Sequence, residues 1–584
     1  MRKDSTKLIA ILLCIMMVVS MAGCNKKTDS NPANTSVTEA ADAKSGSSDK
    51  SKTLTLDVFA TQANYQGLQT GWYGKIVKDK FNIELNIIAP NIAGGGNTLY
   101  ETRSAAGNLG DIVIVDNAKM KECVEAGIVM DIGKYVEGKK NIAQYQVGID
   151  NLKSFIGKDE IYALPVYAST QSPTEPTLFA GKVSIASYMP FDYYQELGCP
   201  EIKNEDDLLD VMAQMQANHP TTANGKKTYG FSLFKDWDGG FMAMTEKFAQ
   251  AFGYIGTTDS VWTNADASQS QLLIDDNSAY YNALKVYFKA NQLGLVDPDS
   301  TSQDMNTMFS KVTDKQIFYL WFAWMMGNYN TEDRGNKGDG YAFIPVGNQK
   351  IVTDGFSAYG NGTSIGIGSS AKDPERIMEF LDWASSSEGI NYFSGNIKDL
   401  TFKVVDGKQT MTDYGKNAWT DGLSVPDELG GGSYKDGFPQ MNANVGNKFD
   451  IDPATGESYD TGLWETSIKL NRTLLDDNWT TQFGTQNMVE YLKSRNMLDV
   501  IPGCAYTRPT ENSEISNKRT QCGTLVKETS WRMVFAKDEA EFNKLWADMK
   551  TQLTGFGYED IIAADKVVVE AIKASRAEAI KAAK

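Results

Sequence analysis

The sequence predicts an α/β fold built in more than one lobe around a largely parallel sheet. Three observations carry this. Apolar, β-branched runs alternate with helical periodicity through the first part of the chain, the signature of strand-helix-strand units. The chain has 584 residues, more than one ordinary core holds. Its composition, 22% charged and 41% hydrophobic, is that of a globular protein.

Taken in order, the first element is a leader. Arg2, Lys3 and Lys7 precede an apolar stretch over 8–22, shorter than the roughly 20 residues a spanning helix needs. It ends in Ser20-Met21-Ala22-Gly23-Cys24, which resembles the lipobox of bacterial lipoproteins, with Met21 where Leu is more usual. That resemblance implies cleavage before Cys24 and acylation of its thiol. Residues 25–52 contain no aromatic residue and one Val, too little apolar surface to offset the entropy of ordering, so they read as a flexible tether.

The folded part opens with Leu54-Thr55-Leu56-Asp57-Val58-Phe59-Ala60, a strand by alternation, followed by a polar turn holding Asn64 and Tyr65. A second strand is expected at 83–89 and a third at 111–116, ending in Asp116 and Asn117. Gly94 to Gly96 lack the Lys-Ser/Thr of a phosphate loop and read as a turn. Asn204 caps a helix whose Leu208, Val211, Met212 and Met215 share one face. Asp373-Pro374 opens another, with Ile377, Phe380, Leu381 and Ala384 inward, and a third starts at Asp538, buries Phe542, Leu545, Trp546 and Met549, and stops near Gly555.

Charge and chemistry narrow the function. Fifty-seven Lys and Arg stand against 74 Asp and Glu, a net charge of -17 that opposes binding to a phosphate backbone, so no nucleic-acid partner is expected. The one histidine, His219, excludes a two-His zinc site, and its polar surroundings place it on the surface. Cys504 and Cys522 flank a loop-like stretch where a disulfide is allowed, whereas Cys123 and Cys199 read as small buried hydrophobes. Asp450-Ile451-Asp452 with Glu457 lacks most ligands of a calcium loop and reads as a turn, so no metal is assigned.

Five stretches together resemble one known family. They are Tyr193-Tyr194-Gln195-Glu196-Leu197-Gly198 running into 204–208; Tyr229-Gly230-Phe231-Ser232-Leu233-Phe234-Lys235-Asp236-Trp237-Asp238-Gly239; Ala283-Leu284-Lys285 through Gly294-Leu295-Val296-Asp297-Pro298; Asp373-Pro374-Glu375-Arg376 through Ser387-Glu388-Gly389; and Ser530-Trp531-Arg532-Met533-Val534-Phe535-Ala536. Their order and spacing resemble the extracellular solute-binding lipoproteins of carbohydrate ABC importers, in the long subfamily of that family. The resemblance implies a two-lobe periplasmic-binding-protein type II fold, with a hinge of three crossings and a ligand cleft between the lobes. It places lobe 1 at 53–166 plus 358–430 and lobe 2 at 167–357 plus 431–584. It also implies an oligosaccharide ligand, ABC permease transmembrane subunits as partners, a membrane contact through the lipid alone, a monomer, no cofactor and no enzymatic activity.

A sugar presents hydroxyls around apolar C-H faces, so its site needs aromatic platforms and planar hydrogen-bonding groups. Candidates on loop positions are Asn64, Tyr65, Asp116 and Tyr167 from the first lobe, and Trp237, Asp238, Trp321 and Trp324 from the second. Each has a structural competitor: Asp116 also reads as a helix cap, Asn64 and Tyr65 as a plain turn, and a Trp in the apolar run 318–326 as core. A neutral oligosaccharide is expected from the acidic balance. Two other classes remain beside the importer: a lipid-anchored glycoside hydrolase, for which no segment singles out the carboxylate pair, and a sensory or adhesive lipoprotein.

Overall fold

Alternation of buried and open side chains along 54–60 sets the first strand, and the architecture grows from it. The computed structural model describes residues 50–584 except 91, 93–95, 180, 420 and 506–510. The leader, Cys24, the tether up to 49 and most of the Gly94 turn lie outside the described residues. The strands that organise the molecule are β1 (Leu54–Ala60), β2 (Gly67–Leu68), β3 (Ile83–Ile88), β4 (Ile112–Asp116), β5 (Ala163–Pro165), β6 (Ile185–Pro190), β7 (Leu320–Phe322), β8 (Tyr341–Phe343), β9 (Ile351–Asp354), β10 (Thr363–Ile367) and β11 (Leu498–Ile501).

A six-stranded sheet runs β2-β3-β1-β4-β10-β5. Its centre is parallel, β1 lying between β3 and β4, as the sequence predicts. Toward both edges it is not: β2 runs antiparallel to β3, and β10 runs antiparallel to both β4 and β5. For β10 the reason is connectivity. Strands β1, β4 and β5 all run toward the place where the chain leaves for the second body, and β10 enters from there, so it must run the other way.

The second body is built on the antiparallel sheet β8-β6-β7, with β9 and β11 paired in parallel beside it. Its core is rich in aromatics, Phe231 packing edge-on against Tyr287 with ring centres 5.1 Å apart. Predicted helices appear with their caps: Asn204 accepts from the Asp206 and Asp207 amides at 3.0 and 3.1 Å, and Asp373 from Arg376 at 3.1 Å. The helix Glu539–Gly555 buries Phe542, Leu545, Trp546 and Met549, as its spacing requires. Among the described residues no helix is long and apolar enough to cross a membrane.

Three segments run side by side where the bodies meet, two of them crossings. Tyr167 and Ala168 donate their amides to Asn444 and Val445 at 2.8 Å each, and Ser169 donates to Ser357 at 2.9 Å. Gly360 sits among them with φ +81°, and a Cβ there would stand 2.5 Å from the Val166 carbonyl, so only glycine fits the crossing. Tyr434, Met441, Ala443 and Val445 belong to the first hydrophobic core, so the boundary expected at 430 falls inside that core. Trp464 still packs on Phe402, with ring centres 5.4 Å apart.

Three local expectations are corrected. Cys504 and Cys522 are both free thiols: Cys522 faces the core from the helix Ser513–Val534, and Cys504 lies beside Arg576. Cys199 is half-buried, unlike the fully buried Cys123. His219 is half-buried too, its ring stacked on Tyr193 at 3.6 Å with Nε2 held 2.5 Å from a Glu196 oxygen.

Candidate functional site

The register of the first sheet decides which loops meet the hinge. Thr363, the first residue of β10 after the crossing, pairs with Asp116, the last residue of β4. The carboxyl ends of β1 and β4 therefore open toward the second body, where ligand-binding loops sit in sheets of this kind. Gln62 closes this end by donating to the Thr363 hydroxyl at 2.8 Å, and Asn442 donates to the Gln62 carbonyl at 2.9 Å.

Four predicted residues lie on this rim, and their polar groups are unequally free. Asn64 is exposed, while the half-buried Tyr65 spends its hydroxyl on the Leu68 carbonyl at 2.9 Å. Asp116 caps the following helix, accepting from the Lys119 amide at 2.9 Å with the Lys119 ammonium 3.3 Å away. Tyr167 adopts φ +56°, donates its hydroxyl to the Asn442 carbonyl at 3.1 Å and leans on Phe393. Burial pushes its phenol well above the ordinary range, so it stays a neutral donor.

The second body offers the opposite rim. Strand β6 is the first of the named strands beyond the first crossing, and its first residue, Ile185, pairs with Phe322, the last of β7. The Ala323 amide then donates to Ser184 at 3.0 Å. Phe322 and the turn after it thus stand at the hinge end of this sheet. Alternation turns Trp321 the other way. It is fully buried, donates its indole to Tyr287 at 3.0 Å and is core, which corrects its assignment to the cleft.

Trp324 comes next on a short 3-10 turn, Ala323–Asn328, that brings it back to the surface. It forms one aromatic group with Phe322 at 5.5 Å, Phe309 at 5.2 Å and Trp237 at 6.3 Å. Trp237 is 38% exposed, held edge-on by Phe234 at 4.8 Å and Phe322 at 5.6 Å. Such a packed yet open indole is a preformed stacking surface. Asp238 is not a free ligand group, because it accepts from the Ala243 amide at 2.9 Å and the Trp531 indole at 2.7 Å. Burial raises its carboxyl above the ordinary aspartate value against the pull of those two bonds.

Sequence reasoning missed Gln62, Asn361 and Asn442, which the crossings bring to the first rim from remote parts of the chain. Asn361 accepts from the Thr363 amide at 3.1 Å, and Asn442 reaches Gln62 across 380 positions. The positive φ of Asn442, 49°, leaves only a faint local signal in the turn-forming Asn itself. The acidic segment weighed as a calcium loop is spent on protein donors. Asp450 holds Ser169 and Thr170, Asp452 accepts from Ser387 at 2.8 Å, and Glu457 from the Gln409 amide at 2.7 Å. Among the described residues no cluster of three ligating side chains gathers to hold a metal.

The sequence profile of the bacterial extracellular solute-binding proteins matches residues 66–390. The chain belongs to this family. No protein with a curated description matches this solute-binding protein, but solved structures do. The alginate-binding protein AlgQ2, crystallised without calcium ion, is similar at TM-score 0.59 and 16% identity, covering 90% of this chain and 98% of its own. An oligosaccharide-associated neighbour, the HMO-binding ABC-transporter-associated protein of Bifidobacterium longum infantis, gives 0.57 and 15% over 90% and 98%. The S. pneumoniae ABC-transporter substrate-binding protein FusA, in complex with kestose, gives 0.55 and 14% over 89% and 99%. These likenesses establish the two-lobe fold for this solute-binding protein, and its family places it on the extracytoplasmic side.

Proposed function

We propose that this protein captures an oligosaccharide between its two lobes and delivers it to the permease of an ABC importer. The observation that carries the reading is the Trp237, Phe322 and Trp324 group, packed on one side and open on the other, at the hinge end of the second lobe. In this reading its partner across the cleft is the rim of exposed Asn64, Asn361 and Asn442, amide groups that match sugar hydroxyls. Structural relatives that bind alginate, kestose and HMO support it. The first lobe then comprises 53–166 with the chain from 358 to about 465, the last crossing coming after Trp464, and closure over ligand is a hinge motion.

The reading is of a binder and not a hydrolase. Glycoside cleavage needs two carboxyl groups free to act as acid and base or nucleophile. Near the platform Asp236 accepts from the Met305 amide at 2.8 Å, and Asp238 is engaged twice. A thermal-shift screen of the purified protein against neutral and acidic oligosaccharides tests this, with the mixtures analysed for breakdown. Ligand at about 100 times its Kd adds about 2.7 kcal/mol, a resolvable shift. A shift with intact sugar supports capture; fragments refute it.

Cys24 carries the lipid in this reading, the tether lets the body, a monomer, reach the permease, and the acidic surface takes no part in holding the membrane. The Cys24→Ala protein is expected in the soluble fraction with an unchanged melting temperature. Its persistence in washed membranes with label from a radioactive fatty acid refutes the anchor.

A further inference from the structure

The Trp237 loop has a second side. While Trp237 turns toward Phe322 and Trp324, Lys235 and Asp238 turn toward the helix Ser513–Val534 and close a groove of about 570 Å³ against Lys527, Trp531, Arg532 and Phe535. Lys527, Trp531 and Phe535 succeed one another at helical spacing, so they form one wall. The groove is mostly apolar surface with charged tips. The Trp531 indole is fixed by Asp238 at 2.7 Å, and the Lys235 ammonium stands 5.0 Å above its ring.

Many cations in this acidic chain sit against a carboxylate, as Lys311 does between Asp297 and Asp299. Lys235, Lys527 and Arg532 make no ion pair within 4 Å among the described residues. Two carboxylates share the lining with them: Asp238, which accepts from the Ala243 amide and the Trp531 indole and interacts with Lys235 and Lys527 from beyond ion-pair distance, and Glu528, which makes no ion pair with Arg532, so the cations of the lining exceed its anions by one. Three unpaired cations around an apolar wall are the complement of a ring that carries a carboxylate.

We propose that this groove is a subsite for a carboxylate-bearing sugar, with Trp531 and Phe535 against its apolar edge and Lys235, Lys527 and Arg532 on its acid group. The proposal rests on the oligosaccharide reading and deepens it. Since one loop, 234–238, separates groove from platform, a chain stacked on Trp237 and Trp324 continues into the groove with its acidic residue. The ligand is then an acidic oligosaccharide, which departs from the neutral one expected from net charge, because local complementarity outweighs the overall balance.

The test uses the purified protein labelled with 5-fluorotryptophan, the Trp531 resonance being assigned with Trp531→Phe. Methyl glucuronide, methyl glucoside and sodium sulfate are titrated at matched ionic strength. The expected result is a saturable shift of the Trp531 signal with the glucuronide alone. In the Lys527→Gln/Arg532→Gln protein, with its melting temperature unchanged, glucuronide affinity falls by about tenfold or more, as when charge-assisted bonds to a carboxylate are lost.

A silent Trp531 signal, an equal response to the glucoside, an equal response to sulfate, or unaltered affinity in the double variant each overturns the proposal. Failure here is separable from failure of the oligosaccharide reading. Binding of a neutral oligosaccharide that Trp237→Ala abolishes, with Trp531 silent to glucuronide, removes the groove and keeps the platform. Absence of any oligosaccharide shift in the thermal screen removes the platform reading itself.

Discussion

Trp321 and Trp324 stand in one short run and do opposite work. Trp321 is enclosed between Phe231 and Tyr319 with its indole bonded to Tyr287, whereas Trp324 borders the open Trp237. Trp321→Ala is expected to cost about 3–5 kcal/mol of folding stability, the penalty of a large core cavity, read as a lower urea midpoint. Trp237→Ala is expected to leave that midpoint in place and weaken oligosaccharide binding by about 1–3 kcal/mol, read by calorimetry. An unchanged affinity in the folded Trp237→Ala protein removes Trp237 from the site. At this scale the residue type was legible and its direction was not. Leu320-Trp321-Phe322-Ala323-Trp324 reads equally as an apolar strand with either Trp inward, and only the 3-10 turn after Phe322 decides between them.

Elements are where the hinge and the carboxyl-terminal helices gain their rigidity. Asp450 ties a first-lobe segment to the first crossing through Ser169, the Thr170 amide at 2.9 Å and the Thr170 hydroxyl at 3.3 Å. Burial raises its carboxyl above the ordinary aspartate value, and these bonds only partly oppose that. The folded protein thus binds this proton more tightly than the unfolded chain. The resulting stability is full below the unfolded pKa and is lost as pH rises through the folded one. Between about pH 4 and about pH 7 the wild-type urea midpoint should therefore fall more than that of Asp450→Asn. Parallel profiles would remove Asp450 as the source of that slope.

The carboxyl-terminal pair of helices uses the opposite arrangement. Arg519 joins Glu511, Asp259 at 3.3 Å and the fully buried Asp565 at 2.8 Å, and Asp565 also accepts from the Ser260 hydroxyl at 2.7 Å. Arg519→Met strands a buried carboxylate, and about 3–5 kcal/mol should be lost in urea denaturation. An unaltered midpoint would show that the network contributes no stability. Helices and their caps were legible because a cap and an apolar stripe are local patterns, as at Asn204 and Asp538. Partners such as Asp565 for Arg519 were not, since nothing local relates positions brought together by tertiary packing.

For the whole molecule, the two-lobe plan was legible from motif order, because the five stretches that carry it are each local and their spacing is set by the chain. The cleft between them was only half legible. Its loops were expected at strand ends, yet Gln62, Asn361 and Asn442 meet only because segments remote in sequence run side by side where the bodies join. The lobe boundary expected at 430 failed for the same reason: Tyr434 stacks on Trp72 at 5.8 Å, a contact between the two ends of the first lobe that no periodicity announces.

Strand order in the first sheet bears on how the protein comes into being. Strand β10 sits between β4 and β5, although the whole central part of the second lobe separates it from both in sequence. A chain emerging amino terminus first presents Val113 and Ile114 on an unfilled sheet edge until Thr363 to Ile367 arrive to cover it. Pairing over such a separation is slow, and exposed edges aggregate in the interval. The first lobe therefore cannot finish until the central part of the second has been made, and a chain cut short anywhere before Thr363 holds no finished lobe at all.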